Sequence, residues 1–326
     1  MSEASTSGGA PLEVLTVGRV GVDLYAEELG ASFVEARRFQ KSIGGSPTNV
    51  AVAVARLGHR AAVFTKVGDD ELGGYVRTAL ADQFGVDTRF VGSHPTLKTP
   101  IVIAALDPPE EPRFVFYREP AAPDSTILPG EIDLEIVREV AILWVSAGAL
   151  AVEPSRGTVR EMLEQRRRRP HTILDLDYRP SFWASEREAR REIGVTIDAA
   201  TIAVGNRAEC EIAVGTTDPE AAADALLERG VELAIVKLGG EGVLVATAAE
   251  RHVVAPLRVE VVCALGAGDA FGGALCHALL AGLQPAEAVE FANASGALVA
   301  SRLLCADAMP SEPEVRELME ASRARS

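Results

Sequence analysis

The feature that most constrains the fold of this chain is a run of small residues, 266–269, between an apolar segment and an alanine-rich helical pattern. The valine-rich residues 259–262 before it are typical of a strand end, and Ala267–Leu280 after it has the periodicity of a helix. Small residues at such a junction let backbone N–H groups converge, and a helix start adds the positive end of its dipole. The sequence therefore predicts an anion-binding turn at this point.

Asp269 is a carboxylate inside this predicted turn, and two interpretations of it stay open. An aspartate is a good cap for a helix N-terminus. It is also suited to take a proton from a hydroxyl while the surrounding amides stabilise charge on a transferring phosphoryl group. The residues alone therefore indicate either a capped turn or a phosphoryl-transfer site.

Gly266, Ala267, Gly268 and Asp269, followed by Ala-Phe, resemble the C-terminal signature of the ribokinase (PfkB) family of sugar kinases. The resemblance implies a ribokinase-like fold, use of ATP and Mg²⁺, Asp269 as catalytic base, and an anion hole made by the amides of 266–268. The family's usual Asp-Thr-x before the glycines is replaced by residues 263–265, Cys-Ala-Leu, which is similar to the 5-dehydro-2-deoxygluconokinases of inositol catabolism. This replacement leaves the use of a monovalent cation open.

The composition limits the partners of the chain. It has 326 residues, 48% of them hydrophobic, which is enough for one large α/β domain with an excursion or for two domains. With 32 basic and 47 acidic residues the net charge is -15, so neither nucleic acid nor an anionic membrane is expected as a partner. A polyphosphate would have to be bound by local amides, a few cations and a metal ion.

The cysteines and the N-terminus indicate a cytoplasmic protein. Four widely spaced cysteines favour a reducing cytosol over a zinc site or a disulfide framework. Residues 1–10 are rich in serine and glycine and lack the basic start and apolar core of a signal peptide, so we expect a disordered tail without a membrane span.

Asp23 follows an apolar strand predicted at residues 12–17, at the place where α/β sheets bind ligands. No Gly-x-Gly-x-x-Gly fingerprint of a dinucleotide site occurs here, which disfavours a dehydrogenase. A solvated loop acid is the simpler interpretation of Asp23. The family resemblance implies instead that this carboxylate binds substrate hydroxyls.

A second signature combines Gly44 and Gly45 with Asn49. Ser46 and Pro47 between them suit the start of a helix, which a structural turn would explain. Two glycines also permit close approach of the backbone to a ligand, and an amide side chain can both donate to and accept from hydroxyls. The segment resembles the N-terminal family signature, in which Gly44, Gly45 and Asn49 would contact the sugar.

Segments at about 19–42 and 97–120 are predicted to form a small β-strand lid, with strands at 33–39, 99–106 and 113–117 and a turn at 107–112. The pair Tyr117 and Arg118 at its end is typical of a protein surface. Related 2-keto-3-deoxygluconate kinases place such a pair on the carboxylate of the substrate, and the arginine fork fits that role. An open lid edge also favours pairing, so we expect a homodimer through the lid.

Asp175, Asp177 and Arg179 alternate at the end of a strand predicted at 172–176, which puts them on one face. They form either a self-paired charge cluster or a site in which Asp177 holds Arg179 against the substrate acid or the phosphates. The Asp-Tyr-Arg-Pro sequence is again similar to the sugar-acid kinases of the family. In contrast, the arginines at 166–169 are expected to be ordinary helix C-terminal cations.

The remaining candidates concern the nucleotide. Asn206 and Glu209 have the spacing of a capping box, and the family uses the same positions towards the phosphates and the Mg²⁺ shell. Gly239 and Gly242 after Lys237 could simply form a hairpin turn, but the family places phosphate and ribose over this turn. Asn293, in a helix predicted at 286–304, is either a satisfied polar residue or a neighbour of the adenine.

Together these features predict a ribokinase-like α/β domain over residues 11–326 with a mainly parallel sheet and a small lid. The expected activity is ATP-dependent phosphorylation of a primary hydroxyl on a six-carbon sugar acid. By resemblance the best substrate is 5-dehydro-2-deoxygluconate, with 2-keto-3-deoxygluconate and fructose as alternatives. A non-catalytic sugar- or nucleotide-binding regulator is the alternative from another class, since a fold does not fix a function.

Overall fold

The computed structural model describes residues 11–109 and 112–324, which form two β-sheets with helices around the larger one. Residues 1–10, predicted to be a disordered tail, lie outside the described residues. The predicted fold class, a mainly parallel central sheet with flanking helices and a small second sheet, is confirmed. None of the described helices is long and apolar enough to cross a membrane.

The strands and helices are numbered in chain order. The strands are β1 (Val14–Val17), β2 (Gly21–Ala26), β3 (Phe39–Gly44), β4 (Ala61–Gly68), β5 (Val91–His94), β6 (Ile101–Ala105), β7 (Arg113–Tyr117), β8 (Ile142–Ser146), β9 (Thr172–Asp175), β10 (Ile202–Asn206), β11 (Leu233–Lys237), β12 (Val243–Ala246) and β13 (Arg251–Val254). The helices are α1 (Ser46–Arg56), α2 (Glu71–Thr78), α3 (Leu134–Glu139), α4 (Ser155–Arg166), α5 (Glu186–Ile197), α6 (Arg207–Val214), α7 (Pro219–Glu228), α8 (Ala267–Leu280), α9 (Pro285–Ala300) and α10 (Glu312–Arg323).

The large sheet has the strand order β13-β12-β11-β10-β9-β8-β1-β4-β5. Only the β11–β12 and β12–β13 pairs are antiparallel. Strands β1, β4 and β8 are buried along their whole length, as expected for parallel strands covered on both faces. Side chains that alternate along these strands pack with α1, α2, α8, α9 and α10 on one face and with α3–α7 on the other. The carboxyl ends of the parallel strands therefore meet at one edge.

The small sheet has the order β3-β2-β6-β7 and corresponds to the predicted lid. The predicted strand at 33–39 is wrong: residues 33–38 form turns and loops, and the strand is β3, which begins at Phe39. The pairing with β2 runs from Phe39 to Gly44 instead. The strand at 113–117 is confirmed.

The predicted strand end at 259–262 is also wrong, because residues 255–262 contain no regular element. The backbone N–H groups of Val262 and Cys263 donate to the carbonyl of Ala300 at 2.9 and 3.1 Å, so the end of α9 takes the place of a partner strand. The preceding strand is β13, and Pro256 follows it. The helix Ala267–Leu280 has the predicted bounds.

Helix α8 lies unusually close to its neighbours because of two glycines. A Cβ atom on Gly272 would lie 2.7 Å from Trp144 Cη2, and one on Gly273 would overlap the Cβ of Ala53 in α1. Any larger side chain at these positions would push α8 away from α1 and β8. The two glycines thus set where the N-terminus of α8 lies relative to the N-terminus of α1.

Arg166 is not an ordinary C-terminal cation of α4 but a buried residue, 1% exposed. Its guanidinium donates to five main-chain carbonyl groups, of Val137, Arg138, Val140, Ala141 and Pro170. The arginine thereby joins the end of α4 to the segment between α3 and β8. These hydrogen bonds give Arg166, the first arginine of the run at 166–169, a structural role.

We expect Arg166→Met to lower the free energy of unfolding by about 3 kcal/mol, since it leaves several buried carbonyl groups without a donor. Arg167→Met is the matched control: the side chain is exposed, so the change should stay within about 0.5 kcal/mol. Urea unfolding of the two variants and the parent measures both values. Equal effects of the two substitutions would contradict the buried role of Arg166.

Candidate active site

A cavity of about 680 Å³ lies between the small sheet and the carboxyl ends of β1, β9, β10 and β11. Its floor comes from the large sheet and the N-terminus of α8, and its roof comes from β2, β6 and β7. Ligands of open α/β sheets bind at this edge because the loops after parallel strands meet there. The cavity is therefore the candidate active site.

Asp269 lies in the first turn of α8 and faces this cavity together with the glycine turn. Gly266, the N-cap residue of α8, has φ +78°, a conformation that favours glycine. Asn49, on α1, donates from Nδ2 to Asp269 Oδ2 at 2.8 Å. The Oδ1 atom of Asn49 is buried and has no partner among the described residues, so it can accept a hydrogen bond from a bound hydroxyl.

Lys237 at the end of β11 faces the same turn. A Cβ atom on Gly268 would lie 3.4 Å from the Lys237 ammonium, so the cation is next to the predicted anion hole. Burial opposes the charge, but Glu209, Asp175 and Asp269 outweigh it and raise the pKa of Lys237 above its ordinary value. The lysine is therefore a permanent cation beside the N-terminus of α8.

Asp23 on β2 faces the cavity from the roof, supported by the glycine pair. Gly44 lies directly against the Asp23 carboxylate, where a Cβ atom would overlap it. Gly45 has φ +103°, and a side chain there would overlap the backbone carbonyl of Arg19. The hydroxyl of Tyr25 donates to Asp23 Oδ2 at 3.0 Å. The glycines thus allow the β3–α1 turn to pass close under the carboxylate.

One wall of the cavity carries three arginines and Asp177, and the buried Asp124 pairs with one of these arginines. Asp177 forms ion pairs with Arg19 and, at 3.2 Å, with Arg179. On the other side Arg118 holds Asp124 with both terminal nitrogens. The guanidinium carbon atoms of Arg19 and Arg118 both lie over the ring of Phe182, at 4.7 and 5.1 Å from its centroid. We call these five charged residues the arginine wall.

Most of the predicted site residues meet at this cavity. The lining includes Asp23, Gly45, Asn49, Arg118, Arg179, Asn206, Glu209, Lys237, Gly239, Gly266, Gly268 and Asp269. Ala267 lies between the two glycines of the turn as the first residue of α8. The predicted capping box of Asn206 and Glu209 is present, and both residues face the cavity as well.

Besides Ala267, four predicted site residues do not line the cavity. Gly44 lies beneath Asp23, as described above. Tyr117 is 59% exposed on the outer face of β7, because strand alternation turns Phe114 and Phe116 inward instead. Gly242, with φ +105°, closes the turn between β11 and β12, and Asn293 donates to the carbonyl of Ala255 at 2.9 Å. These two have structural contacts that explain their positions.

In the arginine wall and its aromatic neighbour, three residues were not predicted as site residues from the sequence: Arg19, Asp124 and Phe182. Arg19 stands in a Gly-Arg-Val-Gly stretch, where an isolated arginine looks like a surface residue. Its burial depends on Asp177, which is 158 residues away in the chain. No local sequence pattern indicates that Arg19 pairs with Asp177.

Burial raises the pKa of several carboxyl groups in the cavity. It raises the pKa of Asp23 to about 7, although the hydrogen bond from Tyr25 acts to lower it. Burial also raises the pKa of Asp175 to about 7, although the positive charge of Lys237 acts to lower it. The pKa of Asp269 is raised by burial as well, although hydrogen bonds from Asn49 and Ser46 hold it down. A base with a pKa near the working pH is suited to proton transfer.

The described residues contain no group of three or more His, Cys, Asp or Glu side chains that could hold a metal ion. This donor set still fits Mg²⁺ with a nucleotide, because Mg²⁺ commonly takes one or two carboxylates, water and substrate phosphates. Glu209 is the fitting residue: it lines the cavity near Lys237, and one of its oxygens is engaged in the capping box. The second oxygen remains for a hydrated cation.

A profile of the pfkB family carbohydrate kinases matches residues 12–312. The chain belongs to this family. A 5-dehydro-2-deoxygluconokinase from Photobacterium profundum is 32% identical over 331 residues, which is 98% of each chain. The crystal structure of a fructokinase from Vibrio cholerae with fructose, ADP and calcium superimposes with a TM-score of 0.81 at 27% identity, over 94% of this chain and 99% of the other.

A fructokinase from Xylella fastidiosa with bound ATP has the same fold, with a TM-score of 0.82 at 24% identity over 95% of this chain and 99% of that one. As a PfkB-family carbohydrate kinase, the protein is a phosphotransferase whose acceptor is a sugar hydroxyl. The prediction of an enzyme of this class is confirmed. A dehydrogenase is thereby ruled out, in agreement with the missing dinucleotide fingerprint.

The raised pKa values predict an acid limb of kcat/KM near pH about 7 rather than near pH about 4, the ordinary range of aspartate. The sign follows from the roles that the family resemblance implies: an ionised Asp23 accepts hydrogen bonds from sugar hydroxyls, and an ionised Asp269 takes a proton. Both forms are lost by protonation, so we expect activity to fall as the pH drops through the raised pKa values of these groups. Initial rates between pH about 5 and about 9 test this. Full kcat/KM at pH about 5 would contradict it.

Proposed function

We propose that this PfkB-family kinase transfers the γ-phosphoryl group of ATP to the primary hydroxyl of a six-carbon sugar acid, with 5-dehydro-2-deoxygluconate as the best candidate. The observation that carries the proposal is the arginine wall beside Asp269, because a neutral sugar has no group that needs such a wall. The relative at 32% identity with this name supports the same substrate. The sugar 2-keto-3-deoxygluconate fits the same chemistry.

In this proposal the sugar acid lies between the small sheet and the α8 turn. Arg179, with a side chain 45% exposed, binds the carboxylate with its bidentate fork, and Arg118, paired with Asp124, lines the cavity nearby. Asp23 and Asn49 accept hydrogen bonds from sugar hydroxyls. These contacts fix the orientation of the primary hydroxyl towards Asp269, and orientation alone can contribute a large part of the rate.

Asp269 then takes the proton of the primary hydroxyl, and the hydroxyl oxygen attacks the γ-phosphorus in line. The bond from the γ-phosphorus to the bridging oxygen breaks at the same time, and ADP leaves with that oxygen. The amides of residues 266–268 and the ammonium of Lys237 stabilise the negative charge on the phosphoryl oxygens. Asn206 and Gly239 line the end of the cavity where the nucleotide would lie. Mg²⁺, held through Glu209, supplies further neutralisation of the phosphates when it is bound.

ATP consumption with Mg²⁺ tests the proposed substrate against a panel of 5-dehydro-2-deoxygluconate, 2-keto-3-deoxygluconate, fructose, ribose and adenosine. We expect the highest kcat/KM with one of the two sugar acids. A preference for fructose would favour a fructokinase, as in the Vibrio cholerae structure. If no compound of the panel causes ATP consumption although the protein still binds ATP, a non-catalytic regulator is favoured. Added K⁺ in the same assay tests whether the enzyme uses a monovalent cation.

Asp269→Asn should lower kcat by a factor of about 10³ or more, since it removes the base but keeps the shape of the side chain. Binding of ATP should change little, because the turn amides and Lys237 are unaffected. Stopped-time product assays and calorimetric titration with ATP measure the two quantities. Turnover at the parent rate in this variant would show that Asp269 is not the base.

We further propose a homodimer formed through the outer face of the lid. Six of the described residues that are large, apolar and exposed lie in the small sheet or in its loop between β2 and β3: Leu29, Phe33, Val34, Phe39, Val115 and Tyr117. Such a concentration is unusual for a surface that faces only water. Strand β7 is also an edge of the small sheet and so has an open row of hydrogen-bonding groups.

The double substitution Val115→Asp with Tyr117→Asp should convert the dimer to a monomer by placing two charges in the apolar contact. Val195→Asp is the matched control, because Val195 is 51% exposed on α5, far from the lid in the fold. Sedimentation velocity distinguishes the species. A monomeric parent protein would overturn the proposed dimer.

The four described cysteines are unpaired and buried, which fits the expected reducing cytoplasm.

A further inference from the structure

Arg19 has no part in the reaction as described, yet it is one of the most buried charged residues of the chain, at 7% exposure. It stands in the short connection between β1 and β2, where the chain passes from the large sheet to the small one. Its backbone carbonyl accepts a hydrogen bond from Thr48 at 2.8 Å and limits residue 45 to glycine. The backbone alone therefore accounts for the local structure, and the buried guanidinium needs another reason.

The guanidinium of Arg19 is not a fully satisfied structural group. It forms the ion pair with Asp177 and lies over the ring of Phe182, but its Nε atom is buried and has no partner among the described residues. An unpaired buried donor destabilises a fold. A neutral side chain of similar length would avoid this cost, so burial of a charge here points to a role at the cavity that it lines.

Asp177 links Arg19 to the substrate end of the cavity. Its Oδ2 atom accepts from Arg19 and, at 3.1 Å, from Ser146, while Oδ1 lies 3.2 Å from Nε of Arg179. Burial works against ionisation of this carboxyl, but the charges of Arg19 and Arg179 outweigh it and lower the pKa of Asp177. One full negative charge is therefore shared between two arginines.

The charge count of the arginine wall shows what Arg19 contributes. Three arginines and two aspartates leave one positive charge. Without Arg19 the count is zero, because Asp177 would neutralise Arg179 in the same way that Asp124 neutralises Arg118. Within the arginine wall the unbalanced positive charge lies with Arg179, which is more exposed than Arg19, the other partner of Asp177. Glu209, Asp269 and Asp175 outside the wall also favour the charged form of Arg179.

We propose that Arg19 is a specificity-determining residue, which selects an anionic sugar acid by taking up the charge of Asp177 and so leaving Arg179 free for the substrate carboxylate. Arg19 acts through Asp177 and is a positioning residue rather than a catalytic one. The inference rests on the proposed function, since it assumes a carboxylate at Arg179.

The test compares Arg19→Lys with Arg19→Gln, which differ in charge but both keep a long polar side chain. With the better sugar acid of the panel, Arg19→Gln should raise KM for the sugar by about tenfold or more, with kcat and KM for ATP within about threefold. Arg19→Lys should recover most of the parent KM. A merely structural role would instead change the thermal midpoint, KM for ATP and kcat together.

A double variant, Arg19→Gln with Asp177→Asn, removes the positive and the negative charge together and returns the count to plus one. We expect it to restore KM for the sugar acid to within about threefold of the parent value. It also avoids an unpaired buried carboxylate, so it keeps the test valid if Arg19→Gln alone fails to fold. A double variant that folds but keeps the raised KM would overturn the inference.

The failure of this inference can be told apart from failure of the proposed function. A parent enzyme without turnover on either sugar acid contradicts the function itself. A parent enzyme that phosphorylates a sugar acid, together with an Arg19→Gln variant whose KM for it is unchanged, contradicts only the role of Arg19.

Discussion

The close contact of α8 with α1 and β8 is the constraint on which the candidate active site depends. Gly272 and Gly273 leave no room for side chains against Trp144 and Ala53, so the axis of α8 can approach its neighbours. This approach places the first turn of α8 beside the first turn of α1. The hydrogen bond of 2.8 Å between Asn49 and Asp269 joins the two turns across 220 positions of the chain.

Two helix N-termini that meet at the edge of a parallel sheet create a local positive field in a chain with a net charge of -15. The carboxylates that line the same cavity are buried there, and burial raises the pKa values of Asp23, Asp175 and Asp269. The cations occupy separate places: Lys237 lies beside the glycine turn and the arginines lie on one wall. In the proposed function, the phosphates lie beside Lys237 and the glycine turn, and the substrate carboxylate lies at the arginine wall.

The sequence predicted those parts of the molecule that local patterns determine. The bounds of α8 and β7 follow from their periodicities, and the capping box of Asn206 and Glu209 follows from its spacing. The segment 255–262 has the composition of a strand, but the backbone at its end donates hydrogen bonds to the end of α9. This partner is distant in the sequence, so the local pattern does not indicate it. Arg19 was missed for the same reason, because its meaning depends on Asp177. Tyr117 was assigned to the cavity although strand alternation turns it outward.

The central claim is that the arginine wall orients a sugar acid so that its primary hydroxyl faces Asp269. A crystal structure of the parent protein with 5-dehydro-2-deoxygluconate and a non-hydrolysable ATP analogue tests it most directly. The account predicts the carboxylate within hydrogen-bond distance of Arg179 and the primary hydroxyl about 3 Å from the Asp269 carboxylate. A carboxylate bound away from the arginine wall, or a primary hydroxyl that faces away from Asp269, would contradict the account.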